Sequence, residues 1–146
     1  MDNNPAPSFI KIVMTDYYAF LSALFLVILW STYALFSIVA GGIHPGAFYT
    51  ALTLSVIALG LILWRYQSIQ TLFNVGIEIP ATVTTIWFFR GRGRLDYIYT
   101  FRGHEYQSGD DVVPNRNTRS LREADRVTLL VDPDNPGHTL IKDFYL

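Results

Sequence analysis

The chain has 146 residues, a formal net charge of −1 and no cysteine. That length allows about one domain, and the near-neutral balance excludes a global field that would steer the protein to nucleic acid or to basic partners. The missing cysteines exclude disulfides, thiolate metal sites and a cysteine nucleophile.

The charges are unevenly placed. No Asp, Glu, Lys or Arg occurs between Asp16 and Arg65. Ahead of that gap, residues 1–16 read as an N-terminal tail: "MDNNPAPS" has turn and disorder composition, and Phe9 to Met14 is an apolar stretch expected to lie along a membrane surface. Residues 17–64 then read as a transmembrane helical hairpin, with helices over 17–40 and 46–64. Each run approaches or exceeds the roughly 20 apolar residues that cross a bilayer core. Neither has the polar stripe of a surface helix. A pair of buried helices in a soluble core is disfavoured, because the rest of the chain is too small to surround them. The first run is longer than the apolar region of a cleaved signal and is expected to be retained.

Between the runs, Gly41 and Gly42 suit a helix end and Pro45 a helix start. His44 in this loop reads as a polar boundary residue, since a lone histidine makes no metal site. Lys11 and Arg65 flank the hairpin and its loop has neither Lys nor Arg, so both termini are expected on the cytoplasmic side of an inner membrane. Tyr17, Tyr18, Trp64 and Tyr66 fall at the same interface. Ala19 with Ala23, and Ala51 with Ser55, have the spacing that lets helix backbones approach.

Residues 65–75 read as a juxtamembrane connector that continues the second helix for a turn or two and breaks at Asn74–Gly76. Residues 76–146 read as a small all-β domain of about five antiparallel strands, barrel-like or a rolled sheet. The first strand is expected over Ala81–Phe89, preceded by Pro80 and followed by an "RGRG" hairpin loop. "RLDYIYTF" alternates, with Leu95, Tyr97, Tyr99 and Phe101 on one face. Arg102–Gly103 makes a turn, and "HEYQS" starts a third strand. A long polar loop is expected over Asp110–Asp125, with Asp110 and Asp111 as solvated charges. "RVTLLV" and "HTLIKDFYL" are the last two strands.

"VDPDNPGHTL" joins them. Counted as a calcium loop from Asp132, it places Asp134, Gly137 and Asp143 at ligand-loop positions, but Pro136 supplies no side-chain oxygen and strands flank it. A double turn explains more residues. The Asp132 carboxylate can accept from the backbone ahead of it, with Pro133 at the second turn position; Asn135 follows, and Pro136-Gly137 fits a second turn in which glycine takes a positive φ.

With these motifs in place, the chain resembles a family of small bacterial membrane proteins described only as a domain of unknown function. The matching residues are Ala81-Thr82-Val83, Tyr99-Thr100-Phe101, Gly103, Asp125-Arg126-Val127 and Asp132-Pro133-Asp134-Asn135-Pro136. Ala124 stands where that pattern has glycine, and Val131 where it has tyrosine. The resemblance implies membrane location and a β-domain, and no activity.

No serine sits in a nucleophile elbow, His104 and His138 lie in or beside turns, and "RGRGR" joins strands rather than opening a helix. No catalytic residue, cofactor, metal or small-molecule substrate is therefore inferred. Arg90, Arg92 and Arg94 read as a solubilising hairpin tip or a contact for anionic lipid or an acidic partner; nucleic acid is disfavoured without stacking aromatics. Arg116, Arg119 and Arg122, in the longest polar loop, are the preferred partner contact. The expected function is a membrane-anchored protein-interaction or scaffolding module at the inner membrane face. Its expected partners are membrane lipids, another copy or a membrane protein. The alternative is an accessory or immunity-type subunit that binds a membrane complex through its helices.

Overall fold

The structure, a computed structural model, describes residues 7–145; residues 1–6 of the expected N-terminal tail lie outside them. Helix α1 spans Phe9–Thr15 and α2 spans Tyr17–Val39, with Asp16 as the hinge. The Asp16 N–H donates to Ile12 O at 2.8 Å, closing α1. Its carboxylate accepts from Ala19 N at 2.9 Å, capping α2. Ile12 points into the β-domain core, so α1 is docked on protein along one face, while Phe9, Ile10 and Met14 remain exposed.

Helix α3 runs unbroken over Pro45–Val75, 31 residues, with Pro45 at its first turn as expected. The residues expected to form a connector are thus fully helical. α2 and α3 are both long and apolar enough to cross a membrane. They pack along Ala51, Ser55, Ala58 and Ile62, one buried stripe on α3, and Trp30 Nε1 donates to Ser55 Oγ at 3.0 Å. Ala19, Ala51 and Ser55 are buried, in keeping with their small-residue spacing.

The β-domain is a curled half-barrel sheet with strand order β3-β2-β1-β4-β5, all neighbours antiparallel. The strands are β1 Ile77–Phe89, β2 Arg92–Phe101, β3 His104–Val112, β4 Arg126–Val131 and β5 Thr139–Ile141. β1 begins earlier than expected and contains Pro80. It is tolerated there because β1 pairs only with β4 up to that point, and its pairing with β2 starts at Ala81. Both hairpins close on an Arg-Gly pair with positive φ, Arg90 (44°) with Gly91 (85°) and Arg102 (51°) with Gly103 (82°), which suits the strand twist. The turn of the first hairpin is therefore two residues, and Gly93 and Arg94 belong to β2.

Leu95, Tyr97, Tyr99 and Phe101 form the buried face of β2, as their alternation predicts, and Val127, Leu129 and Val131 do so on β4. Ile69, Leu72 and Phe73 from the end of α3 join this core with Ile12, Phe144 and Tyr145. The apolar span and the β-domain therefore share one helix. Gly76 makes the sharp exit from α3 feasible, since a Cβ there would collide with the Leu72 carbonyl.

Two expectations are corrected here. Asp110 and Asp111 lie within β3 rather than in a solvated loop, because β3 continues to Val112, where it bridges to Asp16. The last strand stops at Ile141 and turns into a short 3₁₀ segment, Lys142–Phe144. Helix α4, Arg116–Ser120, occupies part of the expected loop and is opened by an Asn115–Thr118 capping box.

Candidate functional site

The two charges that bracket the uncharged stretch meet each other. Arg65 Nε lies 2.7 Å from Asp16 Oδ2, and the Asp16 side chain has no exposed surface. This pair closes the base of the hairpin. Asp110 lies beyond it and laces the two free edges of the sheet together. Its Oδ2 accepts from Tyr97 Oη at 3.2 Å and from Ile141 N at 3.1 Å, so a β3 carboxylate satisfies a β5 amide. Tyr97 Oη also bonds Thr139 Oγ1 at 2.8 Å, and Thr139 donates to Ser108 at 3.2 Å.

Burial pushes the Asp110 carboxyl up to about 6, although the Ile141 amide, the Arg65 guanidinium and the Tyr97 hydroxyl all oppose this. Burial likewise raises the Tyr97 phenol above its ordinary range, and neighbouring Asp110 adds to it. The cluster has one cation for two carboxylates, and its hydroxyls point at one another. It fastens the hairpin to the sheet, and it titrates.

The six arginines singled out from the sequence divide into two groups. Arg92 makes a two-pronged contact with Asp111 (3.2 and 2.9 Å), and its guanidinium lies 5.2 Å from the centre of the Tyr17 ring. Arg94 pairs with Asp96 at 2.9 Å. Arg90 lies over Phe89, 5.0 Å from the ring centre. Arg116, Arg119 and Arg122 sit on the connector between β3 and β4, exposed together with Arg126. Among the described residues, no carboxylate lies within ion-pair distance of any of these four. The connector arginines are thus available to a partner, while Arg92 and Arg94 are engaged at home.

The double turn behaves largely as read. Asp132 Oδ1 accepts from Asp134 N at 3.0 Å and Asn135 N at 3.4 Å, and these amides hold its carboxyl below the usual range. His138 N donates to Asn135 O at 2.8 Å, closing the second turn over Pro136 and Gly137. Gly137 does not take the expected positive φ; the turn closes without it. Tyr99 reaches from the core to donate to Pro136 O.

Sequence reading missed the partner of His138. Its Nε2 lies 3.0 Å from Ser68 Oγ on α3, and its Nδ1 is 3.6 Å from Asp132 Oδ2. This is a serine–histidine–aspartate order, but Ser68 lies inside a continuous helix. The backbone amides beside it are spent in the helix ladder and cannot form an oxyanion hole. Its evident effect is to bolt the turn to α3. A separation of 70 residues left no sequence signal for it.

Apolar hollows lie along the hairpin, one of about 540 Å³ being lined by Trp30, Tyr33, Ala34, Ser37, Ile43 and Phe48, and a smaller, more polar one lies on the β-domain between Ser120, Val127 and Asp143. Among the described residues, no group of three or more acidic or histidine side chains is placed to hold a metal ion. Comparison with protein-family models, curated proteins and solved structures finds no match.

Proposed function

We propose that the chain is a membrane-anchored interaction module whose hairpin crosses the inner membrane and whose β-domain engages a protein partner at the cytoplasmic face. The observation that carries this reading is the continuity of α3, which enters the β-domain core without a linker. A flexible tether would merely concentrate a domain near a membrane. A helix shared between span and core also fixes which surface the domain presents.

The surface best suited to a partner is the Arg116–Arg126 connector. Its exposed arginines, Arg116, Arg119, Arg122 and Arg126, form no ion pair among the described residues and outnumber the acids Glu123 and Asp125 beside them, which favours an acidic segment by charge complementarity. Lys11 and Arg65 flank the hairpin on one side, which supports a cytoplasmic β-domain. A reporter active only in the periplasm, fused after Leu146, is expected to stay silent; strong activity would reverse the orientation.

A second reading, binding of a membrane complex through the helices, draws on the open apolar hollow lined by Trp30, Tyr33, Ala34, Ser37, Ile43 and Phe48. Crosslinking in intact membranes followed by mass spectrometry separates the two. Contacts at residues 110–126 that disappear in R116E/R119E/R122E support the module. Contacts confined to residues 19–55 support the helix-binding subunit instead.

A further inference from the structure

We propose that the tip of the β1–β2 hairpin, through Trp87, Phe89 and Arg90, forms a second contact with the lipid–water interface of the membrane that the helices cross. This rests on the membrane reading above and adds a surface to it.

Position is the first argument. From Arg65 to Val75, α3 carries the chain about 15 Å away from the end of the apolar span. β1 then runs back for 13 residues, about 40 Å if straight, which is more than enough to regain the level it left. Its far end is fixed there. Arg92 lies over Tyr17, the first residue of α2, and Asp111, which holds Arg92, also accepts from Tyr18 Oη at 3.0 Å. The hairpin tip is thus tied to the first turn of the apolar helix.

Composition is the second argument. Trp87 and Phe89 are 50% and 53% exposed, and their rings stack 5.6 Å apart at 24°. Ile86, one position along, packs against the core, so by strand alternation Trp87 and Phe89 point away from it. The Arg90 guanidinium caps the outer ring. Two large rings half open to water at the end of a hairpin form an uncovered apolar surface. An aromatic pair with a cation beside it suits the headgroup layer, where the rings reach the apolar boundary and the cation meets phosphate. Arg92 and Arg94, engaged with Asp111 and Asp96, hold the tip in shape.

The absence of cysteine permits a clean test. Single cysteines at Phe89, at Val27 within the span and at Glu105 at the opposite end of the sheet are each labelled with a nitrobenzoxadiazole dye. The full chain is reconstituted into phosphatidylcholine–phosphatidylglycerol vesicles with nitroxide on the headgroup or on the acyl chain. At position 89, blue-shifted emission is expected, quenched most by the shallow nitroxide. At position 27 the deep nitroxide is expected to quench, and at position 105 neither. Water-like, unquenched emission at 89 with quenching at 27 overturns the inference and leaves the membrane reading standing. Blue-shifted but unquenched emission at 89 also overturns it, because protein rather than lipid then covers the tip. No quenching at 27 removes the membrane reading and this inference with it.

Discussion

Replacing Asp110 with Asn tests the energetics of the junction. Folding moves this carboxyl from an ordinary aspartate value near 3.9 up to about 6. At about 1.4 kcal/mol per pH unit, the ionised form is disfavoured in the folded state by at most about 3 kcal/mol. Asp110 keeps partial contact with solvent, which trims the effect to about 2–3 kcal/mol. A folded-state value above the unfolded one gives stability that is complete below about pH 4 and lost as pH rises through about 6. Asparagine keeps an acceptor for Ile141 N and never ionises. D110N should therefore gain on the wild type by about 2–3 kcal/mol between about pH 4 and pH 7, then run parallel to it. Denaturant unfolding of the full chain in detergent micelles, followed by near-ultraviolet circular dichroism, reads this difference. An offset that stays constant across that pH range would refute the assignment of a strained carboxylate at this position.

Three further outcomes follow from particular contacts. R65M leaves the fully buried Asp16 carboxylate without its counter-charge and should cost about 3–5 kcal/mol in the same unfolding assay, with D16N/R65M recovering part of the loss. A124G should stabilise the protein by about 0.5–1 kcal/mol, because the left-handed penalty outweighs the entropy of glycine; Ala124 has φ 71°. S68A removes the bolt to His138 and should lose about 1 kcal/mol. Wild type should not be labelled at Ser68 by a serine-directed fluorophosphonate, and covalent capture there would overturn the purely structural reading of that array.

Much of the architecture could be read from local patterns. The uncharged run, Gly41-Gly42 and Pro45 define the hairpin. The alternation from Leu95 to Phe101 marks a half-buried strand, and Asp132-Pro133 marks an Asx turn. These signals are local because they arise from the chain's own period and from backbone preferences. Ala124 shows what local composition hides, since alanine gives no sign of the positive φ it adopts there. The junction was not legible. Asp16 and Arg65 lie 49 residues apart, and Asp110 and Ile141 lie 31 apart. Asp110-Asp111 looks solvated because two adjacent acids usually are. Strand alternation instead turns one inward to the sheet edges and the other toward Arg92 and Tyr18. The split among the arginines was hidden for the same reason, since pairing depends on cross-strand register.

Because α3 runs unbroken from the apolar hairpin into the β-domain core, the two should move as one body. Nitroxide labels on cysteines at Ile43, in the hairpin loop, and Glu105, on the distal edge of the sheet, test it directly by electron–electron distance measurement in lipid nanodiscs. A single narrow distance distribution is predicted, unchanged between detergent and lipid. A broad distribution, or one that shifts with the lipid, would mean that the domain swings on a hinge near Arg65 and would contradict a rigid junction through α3.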